Sequence, residues 1–197
     1  MQVFLSLLTA YLVGSISSAI VVCKLLRLPD PRRSGSNNPG ATNVLRLGGK
    51  GAAALTLSGD IAKGTVPVVA AQIVLHEPAA VGAAMLGAFL GHLYPLYFGF
   101  KGGKGVATAM GAYLGLGAPV IIGVGGVWLV VAAICRYSSV SSILAMLSAP
   151  AFVWILIGNP LITAASAVIF VFVAVRHRSN IQRLRAGGES KIKLRRS

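Results

Sequence analysis

The chain alternates apolar stretches with short polar gaps, and the pattern predicts helices over 3–23, 52–75, 79–98, 105–116, 119–135, 139–158 and 160–175. A hydrocarbon core about 30 Å thick asks for roughly 20 apolar residues per helix. Six stretches meet or approach that length. The remaining one, 105–116, would rise only about 18 Å as a helix. A helix that short must start below the membrane surface, so the glycine-rich segment feeding it is expected to dip inward. Non-helical backbone at that depth survives only inside protein or against a wet cavity.

All but one of the 18 Lys and Arg residues fall in alternate gaps, the exception being Lys63. The gaps at 24–51, 101–104, 136 and 176–196 are basic, whereas 76–78, 117–119 and 158–160 hold no Lys or Arg. Excess Lys and Arg marks the cytoplasmic side of short loops. The N-terminus is therefore expected outside and the C-terminus in the cytoplasm. An even number of spans would move Arg136 and the basic tail to the wrong side, so the short stretch must also count. The expected fold is an all-α integral membrane protein of seven transmembrane helices, one of them short. It forms a single polytopic domain over 1–197, with a polar, flexible tail over 186–197. No Lys or Arg precedes the first stretch, which is long enough to span and is read as a first helix, not a cleaved signal.

Composition agrees: 55% of the 197 residues are apolar, 11% are charged, and mean hydropathy is +0.79. The net charge of +14 would suggest nucleic acid in a soluble chain. Here it sits beside the membrane, where anionic headgroups and topology account for it, so no nucleic-acid partner is expected. Cys23 and Cys135 lie in apolar runs near the basic side and are expected to stay reduced. No fixed-period repeat is visible. Gly82 with Gly87, Gly111 with Gly115, and Gly123 with Gly126 are expected to let helices approach closely. Inside the second stretch, Asp60 and Lys63 share a helical face three residues apart and are expected to pair, facing protein.

The residue inventory excludes much chemistry. The acids are Asp30, Asp60, Glu77 and Glu189, with Glu77 in an outward gap and Glu189 in the tail. A two-carboxylate site or a carboxylate metal cage is hard to build from these. His76, His92 and His177 are too scattered for zinc, so no metal and no cofactor are expected. Neither His92 nor His177 is followed five residues later by Asp, which excludes the dyad of acyl-CoA-dependent glycerolipid acyltransferases.

The basic face instead offers anion chemistry in four segments. The first runs from Ser34 through Ser36, Asn38, Gly40, Thr42 and Asn43 to Arg46. Hydroxyls, amides and sharply turning backbone that open a helix present free N–H groups to a phosphate. The same segment also reads as a turn with a helix cap at Thr42 or Asn43. The second holds His92, Pro95, Lys101, Gly102, Gly103, Lys104, Gly105 and Thr108, with glycine spacing wrong for a Walker loop. The third is Arg136 to Ser142. The fourth is Arg176 to Arg183, where Arg176, Asn180 and Arg183 share one helical face beside His177. Tyr94 and Tyr97 read as interfacial anchors.

Together these segments resemble the bacterial membrane glycerol-3-phosphate acyltransferases that use an acyl-phosphate donor, the PlsY family. The match covers nearly the whole chain, with one departure: Asn37 stands where the family usually has Gly. Asn tolerates positive φ, so the turn is expected to survive. The resemblance implies transfer of a fatty acyl group from acyl phosphate to the 1-hydroxyl of glycerol 3-phosphate, giving 1-acylglycerol 3-phosphate and phosphate, with neither metal nor coenzyme A. It implies the bacterial plasma membrane, a site on its cytoplasmic face and membrane lipid as surroundings; a monomer is expected. Ser36, Asn38, Gly40, Thr42 and Asn43, with the backbone of Gly102, Gly103 and Gly105, would hold the acyl phosphate. Arg46, Lys104, Ser142, His177, Asn180 and Arg183 would hold glycerol 3-phosphate, with His177, Lys104 and Asn180 as the catalytic group. Lys101 and Thr108 are further binding candidates, and His92 is either a supporting donor or a packing residue. The base is His177 or a substrate phosphate. A transporter of a phosphorylated solute is the competing class, although inverted repeats and a midplane site are missing from the pattern.

Overall fold

The computed structural model describes residues 1–192, and among these 77% are helical with no strand. The chain order is α1 (Gln2–Gly14), α2 (Ser18–Leu25), α3 (Ala41–Val74), α4 (Pro78–Leu93), a 3-10 turn (Leu96–Phe98), α5 (Val106–Leu116), α6 (Ala118–Cys135), α7 (Ser138–Ile157), α8 (Pro160–Arg176) and α9 (Arg178–Arg185). Four helical segments are long and apolar enough to cross a membrane, or five when α8 and α9, bent by 51°, count as one. The joined α1–α2, with α4, α6 and α7, make up the four. The long α3 and the short α5 fall outside that count. Leu, Ile and Val side chains such as Leu55, Ile122, Ile134, Ile155 and Val171 point outward, as expected of surface meeting acyl chains instead of water.

Helix α4 is the central element, packing against α1, α3, α5 and α8. Phe89, Met85 and Leu93 on α4 are fully buried with Tyr113 of α5, Met146 of α7 and Ile169 of α8. Small residues bring the backbones together. A Cβ on Gly87 would collide with the Leu7 carbonyl of α1, and one on Gly91 with that of Tyr11. Across α3 and α5, a Cβ on Gly64 would strike the Thr108 carbonyl and one on Gly111 the Ile61 carbonyl. Gly115 abuts Val68, and Gly123 abuts Phe152. Gly126 differs from expectation: nothing lies within 4 Å of its Cβ position, so it packs nothing.

Several helix boundaries differ from the hydrophobic pattern, each for a local reason. The stretch 3–23 breaks at Ser15–Ser17, where Lys63 Nζ donates to the Ile16 carbonyl at 2.9 Å. A cation buried in the bundle thus satisfies a carbonyl that the break releases. The helix of the second stretch, α3, starts at Ala41, not near residue 52, and kinks at Gly49, whose φ is 76°. Helix α4 stops at Leu93 because Pro95 disfavours helical backbone at Tyr94. The tail also differs: Ile192 N–H donates to the Arg136 carbonyl at 2.6 Å, and the Lys191 ammonium sits 5.6 Å from the Tyr137 ring centre. The rest of the tail expected to be flexible, beyond Ile192, lies outside the described residues.

Overfilling a packed interior costs about 1–3 kcal/mol, more when backbone must move. Gly87→Leu is therefore expected to lower the thermal midpoint in detergent by several degrees, and Gly126→Leu to leave it unchanged. Fluorescence-detected unfolding of the two purified variants checks this.

Candidate active site

The segment 34–40 is a loop that Asn43 holds from within the first turn of α3. Asn43 is buried, and its Nδ2 donates to the carbonyls of Pro31 (3.0 Å) and Ser34 (2.9 Å). Its Oδ1 accepts the Ser36 N–H at 2.9 Å. Three bonds to the loop leave Asn43 a brace for the turn more than a ligand. Asn37 takes φ 56°, as expected for the residue replacing Gly. The cap of α3 is Gly40, not Thr42 or Asn43. Ala41 and Thr42 thus occupy the first helical positions, whose N–H groups have no intrahelical acceptor.

A second helix begins beside this one. Gly105, at φ 84°, caps α5, placing Val106 and Ala107 at the same donor-bearing positions. The preceding glycine loop is braced twice. Gly103 N–H donates to the His92 carbonyl at 3.2 Å. From α8, Arg176 donates to the carbonyls of Gly102 (2.9 Å) and Gly103 (2.9 and 3.1 Å), while its guanidinium lies 5.9 Å from the Tyr94 ring centre.

Both N-termini face one cavity of about 1180 Å³. Ser36, Asn38, Gly40, Thr42, Asn43, Arg46, His92, Gly102, Lys104, Gly105, Ser142, His177, Asn180 and Arg183 all line it. Three expected residues do not. Lys101 opens on a separate cavity of about 300 Å³ with Arg32 and Phe100. Thr108, on α5, is fully buried, and the Gly103 N–H is already spent on His92. The signal that misplaced them was proximity in sequence; a helix turning inward at Gly105 carries Thr108 away from the opening.

Polar groups converge at one end. Lys104 Nζ donates to Asn180 Oδ1. His177, at the bend between α8 and α9, has Nδ1 at 2.8 Å from the Val173 carbonyl. A carbonyl can only accept, so Nδ1 carries the hydrogen and Nε2 is the open acceptor of the neutral ring. Burial, followed by the Lys104 charge, pushes His177 down to about 4. Burial likewise pushes Lys104 down to about 8, against the pull of Glu189 and with the push of Arg183, Arg176 and Arg46. Ser142 donates to the Ser138 carbonyl at 2.7 Å and accepts from Trp128 Nε1 at 3.2 Å.

Glu189 is the residue that sequence reasoning missed. The chain reverses at Gly187 (φ 70°) and Gly188, whose N–H donates to the Arg183 carbonyl at 2.8 Å. That turn drops the Glu189 carboxylate beside the site, where Asn180 (2.6 Å), Ser139 (2.8 Å) and Arg183 (2.9 Å) donate to it. Burial opposes its ionisation, but these hydrogen bonds win and hold its carboxyl below the usual range. The paired glycines just before the tail's only acid were the available signal. Leu57 and Ile61 of α3, Met110 of α5, and Gly125 and Leu129 of α6 add apolar lining to the same cavity.

Fold and site together define a multi-pass helical membrane protein whose main cavity sets cations and backbone N–H donors against an apolar wall. The family model described as glycerol-3-phosphate acyltransferase matches residues 4–187. A protein of that name from Thioalkalivibrio sulfidiphilus is 52% identical over 185 residues, covering 94% of this chain and 91% of the relative. One from Vibrio vulnificus is 50% identical over 183 residues, covering 93% and 89%. The crystal structure of PlsY (YgiH), an integral membrane glycerol 3-phosphate acyltransferase, in its glycerol 3-phosphate form superposes with a TM-score of 0.92 at 36% identity. That match covers 98% of this chain and 96% of the other. The lysophosphatidic acid form gives 0.89 at 35%. The chain belongs to the glycerol-3-phosphate acyltransferase family.

Hydrogen bonds to a charged group contribute about 1.5–3 kcal/mol each, and unpaired buried donors are costly. Glu189→Ala strands Ser139, Asn180 and Arg183 and is expected to lower the thermal midpoint by several degrees. Glu189→Gln keeps one acceptor oxygen and is expected to lose less, as read by unfolding in detergent.

Proposed function

We propose that this chain transfers a fatty acyl group from an acyl phosphate to the 1-hydroxyl of glycerol 3-phosphate at the cytoplasmic face of a bacterial plasma membrane. The hydroxyl oxygen bonds to the acyl carbon, the carbon–oxygen bond to phosphate breaks, and 1-acylglycerol 3-phosphate and inorganic phosphate are released. The observation that carries this reading is a single cavity lined by two helix N-termini and Lys104 and also by apolar side chains of α3, α5 and α6. An acyl phosphate is a mixed anhydride with a good leaving group, so positioning two anions and stabilising negative charge suffices. Relatives named glycerol-3-phosphate acyltransferase, and a solved relative in glycerol 3-phosphate and lysophosphatidic acid forms, support acceptor and product. They lend nothing to a transporter.

In this scheme Ser36, Asn38, Gly40 and Thr42, with the backbone at the start of α3 and α5, hold the acyl phosphate. Lys104, Arg46, Ser142, Asn180 and Arg183 hold glycerol 3-phosphate. The open Nε2 of His177 accepts from the 1-hydroxyl and aims it. A histidine held at about 4 is a weak base, which favours a phosphate oxygen as the proton's destination. The acyl chain lies along Leu57, Ile61, Met110 and Leu129. Seven crossings are counted, α1 with α2 as the first, then α3 through α8, with α5 the short one, the N-terminus outside and α9 in the cytoplasm. The enzyme works as a monomer.

Radiolabelled glycerol 3-phosphate with purified protein is expected to be acylated by palmitoyl phosphate and not by palmitoyl-CoA; turnover with the thioester alone rejects the donor assignment.

Lys104 carries its charge below about 8 and loses it above. The KM for glycerol 3-phosphate is therefore expected to rise as pH climbs through that range, by up to tenfold per unit. Lys104→Arg, whose guanidinium stays charged, is expected to remove this alkaline limb in a pH series of steady-state kinetics.

A further inference from the structure

Asp60 and His92 have no role in the scheme above, yet both reach the main cavity from within membrane-spanning helices. Asp60 is 1% exposed, and His92 and Lys63 are 6% exposed. Lys63 Nζ lies 2.9 Å from Asp60 Oδ1, and the His92 Nδ1 lies 3.5 Å from the same oxygen. Neither Asp60 Oδ1 nor His92 Nδ1 makes a well-aligned hydrogen bond to any other group among the described residues. Asp60 Oδ1 holds the Lys63 ammonium, whereas His92 Nδ1, buried and facing the same carboxylate, is costly unless it acts on that oxygen too.

The other edge of the same ring meets the glycine loop. A Cβ on Gly103 would collide with His92 Nε2, so the ring sits directly against that residue. The His92 carbonyl also receives the Gly103 N–H at 3.2 Å. The residue after Gly103 is Lys104. A chain of contacts therefore runs from Lys63 through Asp60 and the His92 ring to the backbone that aims Lys104. Arg176 braces the opposite side of that loop through the Gly102 and Gly103 carbonyls.

We propose that Asp60 is a positioning residue for acyl transfer, fixing through the His92 ring the loop that presents Lys104 to the anionic acceptor. This rests on the acyl-transfer reading of the cavity. It differs from a purely structural role, in which Asp60 only neutralises Lys63 inside the bundle.

The test uses purified wild type, Asp60→Asn, Asp60→Asn/Lys63→Met, His92→Gln and His92→Leu. Acyl transfer from palmitoyl phosphate and the thermal midpoint are both measured. Positioning predicts that the charge-free double variant recovers the midpoint while its kcat/KM for glycerol 3-phosphate stays at least tenfold below wild type. Recovery of both quantities together overturns the proposal, as does an Asp60→Asn enzyme within twofold of wild type. The His92 pair leaves the Asp60–Lys63 ion pair intact and so decides the matter if the Asp60 variants do not fold. Gln keeps a donor for the carboxylate and is expected to retain most of the activity, whereas Leu fills similar space without one and is expected to lose tenfold. Equal, near-wild-type activity of the two rejects the linkage. Wild-type protein that fails to turn over palmitoyl phosphate rejects the donor reading instead, and the variants are then compared with the donor that wild type accepts.

Discussion

Backbone that is not helical must find partners inside a protein surrounded by lipid, and the structure is arranged around meeting that demand at the Lys101–Gly105 loop. Helix α5 has only 11 residues, so its rise is roughly 16 Å, about half of a hydrocarbon core. The loop leading into it is carried inward with its peptide groups exposed to whatever lies beside them. Arg176 takes two of its carbonyls and His92 takes one of its N–H groups. Gly102, Lys104 and Gly105 of the loop line the cavity. The same shortness that makes α5 a poor span turns its N-terminus into a donor-rich wall beside that of α3.

Charge in the cavity follows from the same geometry. Lys104 hangs from the braced loop, and Asn180 meets it through Oδ1 while handing its Nδ2 to Glu189. One amide side chain therefore links the cation to the carboxylate that anchors the returning tail. Glu189 adds negative charge near groups meant for anions, but its oxygens are already occupied by Ser139, Asn180 and Arg183. Its effect at Lys104 is to resist the loss of charge that burial promotes. The carboxylate keeps the lysine ionised without competing for it directly.

Most of the helices and most of the cavity lining were legible in the sequence because both rest on local chemistry. Apolar length marks α4, α6, α7 and α8, and the hydroxyl, amide and glycine-rich segments mark the loops that line the cavity. Boundaries set by distant groups were not legible. The break at Ser15–Ser17 is met by Lys63 from another helix, and the start of α3 at Ala41 lies in a stretch too polar to read as a span. Lys101 and Thr108 flank the glycines in sequence, yet Lys101 opens on a separate cavity and Thr108 is buried, since the direction of α5 after the left-handed Gly105 depends on the turn. Glu189 looked like part of a solvated tail because nothing near it in sequence shows the Ser139 hydroxyl waiting for it. Arg176 read as part of the anion-binding face it shares with Asn180 and Arg183, and its guanidinium is instead consumed by the loop backbone.

A chain with so few acidic residues is suited to reactants that bring their own leaving group and their own proton acceptor. Under the proposed reaction, the acyl carbonyl sits where the apolar wall of α3, α5 and α6 meets the N–H donors of α3 and α5. Charge developing on that carbonyl oxygen, and on the departing phosphate, then appears beside fixed dipoles that need no reorganisation. The helix ends supply these dipoles without adding ionisable groups to the membrane interior, where each isolated charge is expensive. In the same scheme the cations that hold glycerol 3-phosphate are Lys104, Arg46 and Arg183. Leaving the acyl phosphate to dipoles and glycerol 3-phosphate to full charges suits a chain with only 11% charged residues to the proposed reaction.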